Sequence, residues 1–259
     1  MDEEKELRQR YTAVNSATWD RWADGGNVWS IPISHEEYEK ARLHDDWGMY
    51  LTPVKYAPRE WFPELRGARV LGLASGGGQQ MPIFAARGAI CTIFDNSERQ
   101  LASERMVAAR EGYGIEIVRG DMTKPLPFAD GSFDLIFHPV SNCYVEDVQH
   151  VWNECFRILK KGGVLLAGMD NGLIFLFDEV NGLTISNRLP FNPLKDRALF
   201  ERMTADNDGI QFSHTAEEQL GGQLRAGLTL THILEDTDRP GTNPIGEYMP
   251  LYYLTRAVK

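Results

Sequence analysis

The 259-residue sequence predicts an α/β protein: a doubly wound, mostly parallel seven-stranded sheet closed by a C-terminal antiparallel hairpin. A helical N-terminal lid and a cap insertion complete the expected architecture. Three observations predict it. Short apolar, β-branched runs alternate with helix-period segments from about residue 69 to 167, the pattern of a parallel sheet with helices on both faces. The first run opens directly into three consecutive glycines, Gly76-Gly77-Gly78. The last two runs, Leu228 to Leu234 and Tyr248 to Ala257, are separated only by a polar stretch carrying Pro240, Gly241 and Pro244. Without a crossover helix between them, those two strands must pair antiparallel.

Residues 1–64 precede the first strand and read as helical, with breaks at Gly25-Gly26, Pro32 and Pro53. Trp19 and Trp22 lie three apart and share a helix face. With Asn15 they are the candidates for a lid residue, while most of the other aromatics of this segment are expected to pack against the sheet. Val70, Leu71 and Leu73 then form the first strand, and Met81, Phe84 and Ala85 begin a helix. Ala89 to Phe94 is the second strand. Ser97 and Gln100 cap the next helix, which is expected to turn Leu101, Met106 and Ala109 inward. Ile115 to Val118 and Phe133 to Phe137 are the third and fourth strands. Val148, Val151, Trp152, Cys155 and Leu159 recur at helical spacing, and Lys160-Lys161-Gly162-Gly163 is expected to end that helix before the strand Val164 to Ala167.

Residues 171–213 break the alternation. Asn171-Gly172, Asn181-Gly182 and Asn192-Pro193 punctuate short apolar pieces, and a core loop of that length is uncommon, so this segment is expected to be a cap over a substrate. Thr215 and Glu218 form a capping box for a helix through Leu224. The expected division is a lid at 1–64 and a main domain at 65–259 carrying the cap at about 171–213.

The chemistry gathers at strand ends. A strand, a glycine turn and a helix start place backbone N–H groups at the carboxyl edge of a sheet, where glycine lets a ligand approach the backbone. Asp95 ends the second strand 19 positions beyond Gly76, close to the ~20-residue spacing at which an acid meets a ribose hydroxyl. Asp121-Met122 follows the third strand in the same way. On these residues the chain resembles the class I, Rossmann-like S-adenosylmethionine-dependent methyltransferases, in particular their small-molecule branch related to quinone biosynthesis. The resemblance covers about residues 65–170. It departs from the family where Gly72 stands in place of an acid and Ala74 in place of the first loop glycine.

The resemblance implies S-adenosyl-L-methionine as methyl donor, released as S-adenosyl-L-homocysteine. It implies ribose binding by Asp95 and an adenine framed by Asp121 and Met122. Ala74, Ser75, Gly76, Gly78, Gln80, Asn96 and the backbone of His138 complete the expected donor site. His138, at the end of the fourth strand, is the one candidate base, although displacement from a sulfonium can run on positioning alone. Its other reading is a hydrogen-bonded structural residue. Asn142 and Tyr144 are candidates for the site's edge.

Two other readings stand beside this one. A non-catalytic S-adenosylmethionine-binding protein would carry the same donor pattern. An NAD(P)-dependent oxidoreductase would use Gly72-x-Ala74-x-x-Gly77 as an imitation of G-x-G-x-x-G, with Ala74 where the backbone must approach a pyrophosphate. A net charge of −10 argues against a nucleic-acid partner, leaving a small-molecule acceptor. Cys91, Cys143 and Cys155 are widely spaced, with no disulfide framework or zinc-ligand spacing, so a reducing cytoplasm and no metal are expected. No apolar run reaches the ~18 residues of a membrane span.

Overall fold

The computed structural model describes residues 3–177 and 183–259. The expected Asn181-Gly182 turn lies outside the described residues. Seven strands form one sheet: β1 (Arg69–Leu73), β2 (Ile90–Asp95), β3 (Ile115–Arg119), β4 (Phe133–His138), β5 (Leu159–Asp170), β6 (Thr229–Asp236) and β7 (Tyr252–Val258). Their order is β3-β2-β1-β4-β5-β7-β6. β1 to β5 pair in parallel, and β7 runs antiparallel to both β5 and β6. Strand order reverses between β1 and β4, which opens a crevice at the carboxyl ends of those strands.

The core follows from the period-two alternation of the buried strands. Val70, Ile93, Leu135, Phe137 and Leu166 face one side, where they meet α3 (Met81–Ala86) through Met81, Ile83 and Phe84. Leu71, Leu73, Ile136, Leu165 and Ala167 face the other and meet α5 (Val148–Ile158) through Val151, Trp152 and Cys155. Fully burying side chains of this size stabilises by about 1.5–3 kcal/mol each.

Several boundaries differ from expectation. β5 starts at Leu159, so Lys160 to Gly163 belong to the strand and do not terminate α5. A bulge between Phe133 and Leu135 absorbs the irregular register there, and Lys160 pairs with Asp134 at 2.7 Å. β7 starts at Tyr252 because Pro250 has no N–H to give a ladder and Pro244–Glu247 coils into a 3-10 turn. In α4 (Glu98–Glu111) Leu101 is buried, but Met106 and Ala109 are exposed, and Glu104, Val107 and Ala108 are buried instead. Five residues past Leu101 is about 140° around the helix, which turns Met106 away from the sheet.

The N-terminal segment divides in two. Ala41 of α2 (His35–Leu43), with Met49, Leu51, Ala57 and Trp61, packs into the sheet's own core. A side chain at Gly168 would stand 1.9 Å from the Leu51 carbonyl oxygen, so β5 and this segment touch backbone to backbone. α1 (Glu3–Asp24) stands over the carboxyl edge together with the segment after β5, and residues between Asn27 and Tyr56 reach that edge too. Leu7 and Tyr11 of α1 form a separate small core with Leu194, Phe200, Met203, Ile210 and Phe212, around α6 (Arg197–Asp206). Asn15 locks the two together: its Nδ2 donates to the Ile210 carbonyl at 2.9 Å and its Oδ1 accepts from the Ile210 N–H at 2.6 Å. α1 and the segment around α6 are thus packed as one unit.

Thr215 and Glu218 make both hydrogen bonds of the expected capping box. The helix behind it runs as a π-turn over Glu217–Gly221 and as α7 over Gly222–Arg225. Gly222 sits against the Trp152 ring, where a Cβ would come within 2.6 Å. Among the described residues no helix is long and apolar enough to cross a membrane.

Candidate active site

A cavity of about 890 Å³ runs along the carboxyl ends of β1 to β5, under α1. Its donor-side half is made from three strand ends. After Leu73 the chain turns through Ala74 at φ +49°, the left-handed region, where a side chain is strained. The turn is braced by two acids, Asp95 half-buried and Glu104 fully buried. The Gly76 N–H donates to Asp95 Oδ2 at 2.9 Å, and the Gly78 N–H donates to Glu104 Oε1 at 2.7 Å. A Cβ on Gly76 would stand 2.7 Å from Gln100 Cβ and 2.9 Å from Asp95 Oδ2, so this glycine is required by the protein's own packing. The sequence reading had assigned that need to a ligand. Gly72 is likewise close-packed, by Ser75 Oγ, Met81 and Ile93, whose side-chain ends would have to move for any larger residue.

Asp95 accepts a second bond, from the Ser97 N–H at 2.9 Å. Each carboxylate oxygen therefore keeps a lone pair for a ligand hydroxyl. Burial pushes the Asp95 carboxyl up, and the N–H groups of Ser97 and Gly76 pull it back. Burial also pushes Glu104 up to about 8, against the Gly78 N–H. Around the turn, Ser75 Oγ, Gln80 Oε1 and Gln100 Oε1 line the cavity without a hydrogen-bond partner. Asp121 and Met122 line it at the end of β3, with Asp121 Oδ1 accepting from the Thr123 N–H at 2.9 Å. Asn96 lines it too and holds α1, donating to the Thr12 carbonyl at 3.0 Å.

The acceptor-side half gathers residues remote in sequence. Trp19 meets Trp22 edge-on with ring centroids 5.0 Å apart and Tyr144 at 5.7 Å, and all three line the cavity. Asn15 lines it as well, with its amide committed to Ile210. Asp170, at the end of β5, is 1% exposed. Its Oδ1 accepts from the Gly172 N–H at 2.9 Å, whereas Oδ2 has no partner. Burial pushes this carboxyl up to about 6. Tyr252 of β7 stands opposite it in the strand pairing.

Three of the candidate residues lie outside the cavity lining. Gly78 is turned to Glu104. His138 is fully buried: its Nδ1 donates to the Leu73 carbonyl at 2.9 Å and its Nε2 stands 2.8 Å from the Asn142 side-chain amide. Asn142 is itself fully buried. Burial lowers the His138 pKa, so the ring is neutral, and a neutral ring accepts at Nε2. The Asn142 amide in turn meets the Gln219 side-chain amide at 2.9 Å, so the ring is held within a buried polar chain. A histidine so placed braces β1 against β4 and reaches no acceptor. Of its two expected roles, this placement, outside the cavity lining, favours the hydrogen-bonded structural one over the base.

Sequence reasoning missed Asp170, Tyr252 and Glu104. Asp170 was within reach, because it is an acid at a strand end, like Asp95 and Asp121, but the strand was ended at Ala167. Glu104 lies three residues past Leu101, on the helix face that Leu101 buries, which is the one signal it carried. Tyr252 had none, since only strand pairing brings it to the site.

This fold and cavity define a class I S-adenosylmethionine-dependent methyltransferase, and the chain belongs to that family. The family model described as a methyltransferase domain matches residues 71–167. The chain is 40% identical over 253 residues to the uncharacterized methyltransferase YbaJ of Bacillus subtilis, covering 95% of this chain and 98% of that protein. It is 34% identical over 116 residues to the ubiquinone/menaquinone biosynthesis C-methyltransferase UbiE of Cereibacter sphaeroides, over 43% of this chain and 46% of that one. Among solved structures, an S-adenosylmethionine-dependent methyltransferase from Mesorhizobium loti superposes with a TM-score of 0.60 at 23% identity, covering 78% of this chain and 95% of that one. The donor is S-adenosylmethionine, and the oxidoreductase reading is set aside: the sheet ends in an antiparallel β7-β6 pair, where a dinucleotide fold would need a second parallel half.

Proposed function

We infer that this methyltransferase acts on a small organic acceptor held between the donor turn and Asp170, beneath α1. The observation that carries this reading is the single cavity of about 890 Å³ that joins the two halves, a volume in the range of small-molecule sites. S-adenosylmethionine supplies a methyl group already activated on a sulfonium. The chain's own residues then orient and exclude water. Asp95 takes the ribose hydroxyls, Asp121 and Met122 bound the adenine, and Ser75, Gln80 and Gln100 offer polar atoms to the amino-acid end. Holding two reactants in line can account for much of a rate enhancement, about 7–11 kcal/mol of barrier in well-oriented cases. His138 keeps β1 and β4 in register and transfers no proton.

The free, buried cysteines Cys91, Cys143 and Cys155 suit a reducing cytoplasm. Six acidic side chains against two basic ones line the cavity, which disfavours a nucleic-acid backbone as acceptor. Calorimetry with S-adenosylhomocysteine, NAD and NADP on the same protein tests the donor. Mass spectrometry of small molecules released from the purified protein tests the acceptor. Binding of S-adenosylhomocysteine alone is the expected result, and binding of a nicotinamide nucleotide in its place would overturn the reading.

A further inference from the structure

β5 outruns β4. His138 of β4 pairs with Ala167, so Asp170 lies three residues beyond the last paired level of β4, about 10 Å at ~3.3 Å per residue. Its strand is second from β1, another ~10 Å sideways at ~4.8 Å per strand. The carboxylate thus stands clear of the donor turn, in the part of the cavity left for the acceptor. It is 1% exposed, it lines the cavity, and its Oδ2 meets no hydrogen-bond donor. A buried carboxylate oxygen without a partner is a cost that folding alone gives no reason to keep.

The surroundings narrow the ligand. Tyr252 is the cross-strand partner of Asp170, so both side chains leave the same face of the sheet. Tyr144 and Tyr252 line the same cavity as Asp170, burial raises both phenols, and the Tyr252 hydroxyl stands 3.3 Å from Asp238 Oδ2. Tyr144 carries the edge-on ring of Trp19. Aromatic rings around one carboxylate suit a cation, which the ring faces attract and the carboxylate pairs. The acid-rich lining repels an anionic acceptor in the same way.

We propose that Asp170, walled by Tyr144, Tyr252 and Trp19, is the carboxylate that binds a primary or secondary amine as the methyl acceptor. This rests on the methyltransferase reading above and names the acceptor class for the same site. The amine enters as an ammonium and gives one N–H proton to Asp170 Oδ2, which frees a lone pair on nitrogen. That pair forms the new N–C bond, the pair of the broken S–C bond stays on sulfur, and Asp170 returns its proton to solvent as the methylated ammonium leaves.

The test titrates the full chain, with and without saturating S-adenosylhomocysteine, with three probes of one skeleton: phenethylamine, 2-phenylethanol and phenylacetate. Wild-type protein is expected to bind the amine about 10–100-fold more tightly than the alcohol, with phenylacetate weakest, as one charge-assisted hydrogen bond allows. Asp170→Asn should erase that preference. Equal binding of amine and alcohol by wild type, tighter binding of phenylacetate, no binding of any probe, or a preference that survives Asp170→Asn would each overturn the proposal. The wild-type comparison decides it even if the variant fails to fold. A separate titration with S-adenosylhomocysteine reads the donor site, so loss of the donor reading and loss of the amine reading are told apart.

Discussion

The two halves of the cavity are built in opposite ways. On the donor side, the two acids are spent on the glycine turn: Asp95 holds Gly76 and Ser97, and Glu104 holds Gly78, while the neutral Ser75 Oγ, Gln80 Oε1 and Gln100 Oε1 stay unpaired. These bonds span at most 26 positions of sequence, within neighbouring βα units. On the acceptor side, the walls come from α1, the β4–α5 loop, the end of β5 and β7, and α1 is tied by Asn15 to Ile210 across 195 positions. There Asp170 is left with an oxygen unpaired. The donor side is a rigid part whose groups share a common ligand with internal bonds. The acceptor side holds a buried group in reserve.

If that contrast is right, substitutions on the two sides should fail differently. Asp95→Ala has the largest expected effect. It removes two hydrogen bonds to the ribose, worth about 1.5–3 kcal/mol each, so affinity for S-adenosylhomocysteine should drop on the order of 100-fold or more. It also leaves the N–H groups of Gly76 and Ser97 without an acceptor, so the melting temperature should fall along with affinity. Calorimetry and thermal melts on one sample read both. Unchanged affinity would remove this acid from the donor site and break the comparison.

Asp170→Asn should act in the other direction on stability. The carboxyl's pKa is raised from 3.8 to about 6 in the fold, so the folded protein keeps a proton that the unfolded chain has already released. The stability this contributes is complete below pH 3.8 and is lost as pH rises through about 6. An amide does not lose it. The variant should therefore be more stable than wild type at pH 8, on the order of 2–3 kcal/mol, and equal to it near pH 4. Urea unfolding at the two pH values measures this. A variant less stable than wild type at pH 8 would mean that the carboxylate is bonded within the fold and holds nothing in reserve.

The smallest effect is expected at Ala74. Its φ of +49° costs a residue with a side chain about 1 kcal/mol, while glycine adds freedom to the unfolded chain. Ala74→Gly should raise stability by less than about 1 kcal/mol and leave donor affinity where it was, which would sharpen the view of the donor turn as self-braced. A marked gain in donor affinity would show instead that the Ala74 methyl intrudes on the ligand.

The sequence by itself determined the alternation of strands and helices, the glycine turn, and the acids at the ends of β2 and β3. Each is written within one βα unit, where hydrophobic period and residue spacing report local geometry directly. It also marked Trp19, Trp22 and Tyr144, though without saying what would lie between them. Only the tertiary structure decided that Met49, Leu51 and Trp61 join the sheet's core, that α1 and α6 pack as one unit, and that His138 lies outside the cavity lining. A periodic pattern tells which face of an element is apolar and is silent about which distant element will cover it. Asp170 shows the same limit: its acid at a strand end was legible, but its burial beside Tyr252 follows from β5 running past β4 to pair with β7.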